Sequence, residues 1–341
     1  MIDSWRRLKN LPPIDAYERK EDMSERQRKA LLLGATGGIG GETGRALSRH
    51  GWGIRAVYRS HLPSDAPESW EWVKGDAMDA SSVAAAAAGV DAIVHAVNPP
   101  GYRDWDRLVL PMIENTINAA KLSGARVLLP GTIYNFGPDA FPVLREDSPQ
   151  NSTTHKGRIR IALEQKLEHA AGAGVRSLIV RFGDFFGPRA GGSWFSQGMV
   201  TPNKPITSIK NPGLKGVGHD WAYLPDCAET FARLMDRDHE LGDFERFHFR
   251  GHWDSDGGEM IDAIRSVVGR PNLPIRGLPW FVFKLASPFN ETMRELYATR
   301  PLWRTPIRLD NTKLVRFLGE EPHTPLRTAV DTTLRGLGCI R

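Results

Sequence analysis

The stretch Lys29-Ala30-Leu31-Leu32-Leu33-Gly34-Ala35-Thr36-Gly37-Gly38-Ile39-Gly40-Gly41 decides the reading of this chain. Its first five residues form a short apolar run, the pattern of a buried strand. Glycines at 34, 37 and 40 follow at once, and a helical pattern runs from about Gly38 to His50. In that frame the glycines allow a tight turn, a backbone that can approach a pyrophosphate, and close helix–strand packing. The helix N-terminus then offers unpaired N–H groups and the positive end of its dipole to an anion. A glycine-rich turn without ligand would use the same letters. The strand–turn–helix setting instead predicts a dinucleotide site with Gly34, Thr36, Gly37, Gly38, Ile39 and Gly40 at its loop.

Outward from this loop, strands and helices alternate. Strands are predicted at Ile54–Tyr58, Trp70–Lys74, Asp91–Val97, Arg126–Pro130 and Val175–Arg181. Helices are predicted at Asp79–Ala88, Asp104–Ser123 and Ile159–Ala171. This alternation predicts an α/β fold, a Rossmann-type doubly wound parallel sheet, with a smaller C-terminal substrate lobe. The expected division is a flexible charged arm over 1–28, a nucleotide-binding domain over 29–185 with returning segments near 215–250, and a lobe mainly over 186–341. Pro12-Pro13 and the lack of a hydrophobic period mark the arm, and Met23 is an alternative start.

The end of the second strand selects the cofactor. An acidic residue there suits ribose hydroxyls, whereas an arginine suits a 2′-phosphate. This chain reads Val57-Tyr58-Arg59-Ser60, with no acid until Asp65. Arg59, helped by Ser60, therefore favours NADP over NAD, unless Arg59 is simply a solvated loop residue.

Composition narrows the alternatives. Of 341 residues, 40% are hydrophobic and 25% charged, ordinary values for a globular chain long enough to bury its own core. Two distant cysteines, Cys227 and Cys339, exclude a disulfide scaffold and a zinc–cysteine module. The most apolar stretch, Ser81–Val97, is broken by Gly89 and Asp91 and falls short of the about 20 apolar residues of a membrane span. The N-terminus lacks the apolar core of a secretory signal, so a cytoplasmic protein is expected. The net charge of +5 is spread along the chain, which argues against nucleic acid and for a small anionic ligand. His248 and His252 are four apart, but in a strand-like stretch, so no metal is expected. Gly191-Gly192-Ser193 lacks the setting of a hydrolase nucleophile. Trp280, Phe281, Phe283 and Phe289 read as lobe core, a helix interface or a pocket wall, and Trp194, Phe195 and Trp221 as further wall candidates.

The sequence resembles the extended short-chain dehydrogenase/reductase family, the NAD(P)-dependent epimerases and dehydratases, in segments that keep family order from Leu31 to about Val330. The glycine loop is the first. Gly75-Asp76 resembles the adenine-contacting aspartate, and Ala96-Val97-Asn98 the segment that passes the cofactor. Gly131-Thr132-Ile133-Tyr134-Asn135-Phe136-Gly137 resembles the loop after strand five, with Thr132 on the catalytic hydroxyl. Arg181-Phe182-Gly183-Asp184-Phe185-Phe186-Gly187-Pro188 resembles the exit of strand six, where nicotinamide and substrate meet. There Phe182 is a cofactor contact, and Asp184 replaces a frequent asparagine. His219-Asp220-Trp221-Ala222-Tyr223-Leu224-Pro225-Asp226 resembles a later family segment.

The departure is at the catalytic centre. The family's Tyr-x-x-x-Lys pair precedes a glutamate by four residues, and taking Glu164 as that glutamate places Arg160 on the lysine and Lys156 on the tyrosine. No tyrosine lies between Tyr134 and Tyr223. Lys156, with a pKa pushed down beside Arg160, is one candidate for the proton-handling group; the Tyr134 phenol is the other. Asp184 offers a carboxylate to orient Lys156 or to act as a base. Arg160 suits the nicotinamide ribose but cannot serve as a base. Alternatively, both cations are solvated helix residues. The resemblance implies hydride transfer on a small carbonyl or sugar-like substrate, or a chain that senses NADP and has lost its chemistry. It also implies a homodimer through the helices Asp104–Ser123 and Ile159–Ala171, the second bearing Ile161, Leu163 and Leu167.

Overall fold

The computed structural model describes residues 26–99 and 103–341. The expected arm and the alternative start at Met23 lie almost wholly outside the described residues. In chain order the first half comprises β1 (Lys29–Leu33), α1 (Gly38–Arg49), β2 (Gly53–Tyr58), β3 (Glu71–Lys74), α2 (Ala80–Ala86) and β4 (Ala92–His95). Then come α3 (Trp105–Ser123), β5 (Arg126–Gly131), β6 (Val143–Leu144), α4 (His155–Ala171), β7 (Ser177–Arg181) and β8 (Asp184–Phe186).

The second half adds β9 (Ile209–Asn211), β10 (His219–Tyr223), α5 (Leu224–Asp236), β11 (Phe244–His248), β12 (His252–Asp254) and α6 (Glu259–Val268). It ends with β13 (Ile275–Gly277), α7 (Trp280–Ala286), α8 (Glu291–Ala298), β14 (Arg308–Leu309), α9 (Thr312–Leu318) and α10 (Leu326–Gly336).

The central sheet has seven strands in the order β3-β2-β1-β4-β5-β7-β11, and every pairing in it is parallel. The Rossmann reading is correct. Strand order reverses between β1 and β4, the place where such sheets open a ligand crevice at their carboxyl edge. Because both faces are covered, β1 is apolar on both sides. Ala30 and Leu32 pack with Ala46, Leu47 and Phe231 of α1 and α5. Leu31 and Leu33 pack with Val83, Val109, Ile113 and Leu163 of α2, α3 and α4. Leu163 and Leu167 are fully buried there, so two of the three apolar residues expected to face a second copy face the chain's own sheet, while Ile161 is half-buried.

Past residue 185 the irregular stretch is more ordered than its sequence suggests. Strands β8, β10 and β12 form a three-stranded sheet, over a separate core that includes Phe186, Phe195, Trp221, Ile264, Trp303 and Leu334. A short parallel pair, β6 with β14, ties this part back to the loop after β5.

Helix α4 begins at His155, earlier than the expected Ile159. The Thr154 hydroxyl accepts from the Gly157 amide at 3.1 Å and caps the added turn. Gly157, in this added turn, is a close contact. A Cβ on it would lie 2.2 Å from the Tyr134 carbonyl oxygen.

Two buried histidines give the fold a pH signature. Burial, reinforced by Arg160, lowers His95 to about 3. Burial, with Arg181 next, lowers His248 to about 3. In the unfolded chain each titrates near ~6.5. As pH falls below that value the unfolded chain binds protons that the native state refuses, so their contribution to stability is lost towards about 3. Buried carboxylates such as Asp220 and Asp226 are shifted upward and pull the other way, so one histidine must be read by difference. His95→Asn is expected to melt below the wild type at pH 7.5, with the gap narrowing as pH falls from 6.5 to 4. A gap constant across that range would reject the buried neutral imidazole.

Candidate functional site

Gly34 turns at a φ of 95°, and Gly37, further along the loop, closes the turn by donating its amide to the Gly34 carbonyl at 3.0 Å. A Cβ on Gly34 would lie 2.5 Å from the Ala96 carbonyl oxygen, and one on Gly40 would lie 2.3 Å from that of Gly34. Backbone thus passes where side chains would sit, and α1 starts with no acidic residue in its first turn. The result is a cradle of amides at the positive end of a helix, suited to a pyrophosphate.

A cleft of about 340 Å³ continues from Gly34, Thr36 and Gly37 to Arg59, Ser60 and His61 on one side and Asp76, Val97 and Asn98 on the other. Arg59, Ser60 and His61 are exposed at its rim. The Asp76 carboxylate accepts from the Met78 amide at 2.9 Å, which fixes its position on the wall. Ala96 lines the same cleft.

A second cleft, about 280 Å³, shares Asn98 with the first. Its walls include Gly38, Ile39, Thr132, Tyr134, Arg160, Phe182 and Asp184, together with Trp105 and Trp194. Thr132 follows β5, and its hydroxyl accepts from the Tyr134 amide at 3.3 Å, starting a tight helical turn that aims Tyr134 at the cleft. Arg160 is 6% exposed; it donates to Asn98 Oδ1 at 2.8 Å and lies 5.1 Å over the Trp105 ring.

Lys156 is not on the surface of this cleft. It is 2% exposed, with Nζ 5.1 Å from the Tyr134 ring centre and donating to the Glu295 carbonyl oxygen at 3.3 Å. It borders a small cavity behind Tyr134 that Phe136, Phe141 and Leu302 also line. Burial lowers its pKa to about 8, and Arg160 adds to the fall against the opposing Glu295 and Asp184. The alternative in which Lys156 and Arg160 are solvated is therefore wrong.

One buried cluster sets these positions. Glu164 on α4 pairs with Arg181 at the end of β7 through both carboxylate oxygens, the Nη1–Oε1 contact being 2.8 Å. Arg181 also donates to the Thr132 carbonyl at 3.0 Å, and Asn135 donates to Glu164 at 3.0 Å. Glu164, read from sequence only as an alignment marker, holds the loop of Thr132 and Tyr134 against α4.

Two wall residues and one behind the wall were not singled out by sequence. Trp105 opens α3, and a tryptophan at a helix start carries no ligand signature. His61 lies two residues past Arg59, and a second basic group there was a readable signal. His219 is invisible without the fold, because only strand pairing sets it against Asp184, at 2.8 Å. Other readings change. Phe281 and Phe289 are 67% and 91% exposed rather than core. His248 and His252 lie on β11 and β12, in different sheets, and no metal-binding cluster occurs among the described residues. No described helix is long and apolar enough to cross a membrane.

Residues 34–191 match a family model described as NAD(P)H-binding. A search of curated proteins found no match. Among solved structures, the chain is similar to UDP-glucose 4-epimerase from Brucella ovis in complex with NAD, at 17% identity and a TM-score of 0.71, covering 92% of this chain and 99% of that one. It is also similar to the Bordetella bronchiseptica enzyme WbmH, solved with NAD+, at 20% identity and a TM-score of 0.66, covering 92% of this chain and all of the other. A third similarity is to UDP-N-acetylglucosamine 4-epimerase from Bacillus cereus, at 14% identity and a TM-score of 0.66, covering 89% and 94%. Residues 34–191 thus match an NAD(P)H-binding family model, and the described chain has the fold of these solved epimerase structures.

Proposed function

We propose that this chain is an NADP(H)-dependent oxidoreductase of the epimerase/dehydratase type, acting on a small carbonyl or sugar-like substrate. The observation that carries the reading is the joining of the two clefts at Asn98, with Thr132, Tyr134 and Arg160 facing the second. A bound nicotinamide would supply or accept the hydride. Thr132 hydrogen-bonds the substrate oxygen, and the Tyr134 phenol exchanges the proton with it. The Lys156 ammonium, held against the Tyr134 ring, stabilises the phenolate side of that exchange. Arg160, kept in place by Asn98 and Trp105, offers its guanidinium to ribose hydroxyls. A tyrosine therefore serves the cleft from the loop after β5 instead of from α4.

A second reading, a chain that binds NADP(H) as a redox sensor, draws on the missing tyrosine of α4. Assembly as a homodimer through α3 and α4 goes with either reading; Leu122 on α3 is 80% exposed.

The cofactor part rests on Arg59, Ser60 and His61 at the adenosine rim. NADPH is expected to raise the melting temperature more than NADH, and Arg59→Ala to weaken NADPH binding by about 10- to 100-fold, the range of a charge-assisted bond. Tighter binding of NADH by the wild type would overturn the preference.

The catalytic part is tested by NADPH oxidation with a panel of carbonyl compounds. Tyr134→Phe should lower kcat by about 100-fold or more. Turnover unchanged in Tyr134→Phe would remove the phenol from the mechanism. Intact NADPH binding with no turnover on any carbonyl would favour the sensor.

Lys156 supplies a pH dependence. Its amine is charged below about 8 and neutral above, so kcat should fall as pH rises through about 8. Lys156→Arg should move that break upward. A wild-type profile flat from pH 7 to 9.5 would count against the ammonium's role.

A further inference from the structure

The wall of the second cleft carries one carboxylate, Asp184, at the first position of β8. Its placement is built by the fold. Gly183 lets the chain pass against β10, where a Cβ would lie 2.4 Å from the Asp220 carbonyl oxygen. Parallel pairing then sets Asp184 opposite Trp221. The Asp220 carboxylate accepts from the Leu309 amide at 2.6 Å, which fixes β10 from its other side.

Behind Asp184 stands His219, at 2.8 Å between Nε2 and Oδ2. With its proton on Nε2, the imidazole donates to this carboxylate oxygen. The imidazole is stacked on Trp303, with ring centres 3.9 Å apart and planes 10° from parallel, and it meets Trp221 edge-on at 4.9 Å. The histidine side chain is 11% exposed and the aspartate side chain 22% exposed. One carboxylate oxygen is thus pinned by a ring clamped among aromatics, and the remaining acceptor capacity belongs to the cleft.

We propose that Asp184, oriented by His219, forms a subsite for a hydroxyl group adjacent to the reacting carbonyl, so that the cleft selects hydroxy-ketones and hydroxy-aldehydes. This rests on the reading of the cleft as a carbonyl site and names its substrate class. A carboxylate only accepts hydrogen bonds, so it demands an O–H from the substrate and gains nothing from a second carbonyl or an ether. Thr132 and Tyr134 bring hydroxyl donors for the carbonyl oxygen itself. Acceptor and donors on one cleft match a molecule that presents the opposite pair. Trp105 and Trp194 add aromatic walls for an apolar remainder. Asp184 is then a substrate-binding residue, and His219 is a positioning residue that acts through it.

The test compares two probes that differ by one hydroxyl, 2-hydroxyacetophenone and acetophenone. Each is titrated calorimetrically into the full chain at pH 7 with NADP+ present at saturation. NADP+ alone is titrated first, so a failure of the cofactor reading shows up separately, before any carbonyl is added. The wild type is expected to bind the hydroxylated probe about 10- to 100-fold more tightly, the range of a hydrogen bond to a charged group. Asp184→Ala should bring the two affinities together. His219→Leu should lose most of the preference, while His219→Gln, which keeps an N–H donor, should retain it. Equal binding of the two probes by the wild type, no binding of either, or a preference that survives Asp184→Ala would each overturn the subsite.

Discussion

The Glu164–Arg181 ion pair is the constraint around which the cleft is assembled. Both side chains are almost fully buried, the arginine at 0% and the glutamate at 3% exposure. Two charges in that setting are tolerable because the pair is bidentate and the Thr132 carbonyl and the Asn135 amide take up part of its spare capacity. Losing either partner would strand the other, at a cost of about 3–5 kcal/mol. The geometric consequence matters more than the energy. The pair joins α4, β7 and the loop after β5, which carry Arg160, the approach to Asp184, and Thr132 with Tyr134. Chemistry spread over three elements is brought to one place by a contact that itself faces no substrate.

The nucleotide half of the molecule was legible from sequence because its requirements are local. Gly37 and Gly40 answer to crowding by the Gly34 carbonyl within a few residues, Gly34 answers to its positive φ, and the apolar run of β1 answers to burial on both faces. Neither needs distant partners to be recognised. The second cleft depends on long-range contacts. Reading Lys156 and Arg160 by register with a tyrosine–lysine pair places them on the right helix, but cannot show that Lys156 turns away from the cleft and sits behind the Tyr134 ring. That outcome depends on the Gly157 contact with the Tyr134 carbonyl and on the Glu295 carbonyl, contributed from 139 residues away. His219 was illegible for the same reason, since β8 and β10 become neighbours only after the sheet has formed.

The same contrast explains the two basic residues of α4. In a helix whose hydrophobic face is interrupted by Lys156, Arg158 and Arg160, a solvated basic turn is a reasonable expectation. Burial of Lys156 and Arg160 is made tolerable by aromatic faces, with Trp105 beside both and Tyr134 beside the lysine. Sequence reading lacks a local signal for such an arrangement, because the ring that shelters a cation need not be near it in the chain.

The short pairing of β6 with β14 has a consequence for redesign. Val143 and Leu144 follow the loop that carries Thr132 and Tyr134, and Arg308 and Leu309 come from the far end of the chain. This two-residue ladder, with the Asp220–Leu309 bond beside it, stitches the end of the chain to the loop that carries Thr132 and Tyr134. The stretch after residue 185 is therefore a poor unit for grafting. A chimera that exchanges residues 186–341 for those of another chain of this fold would sever that seam and replace β11 of the central sheet, and would need the segment around 143–144 transplanted with it.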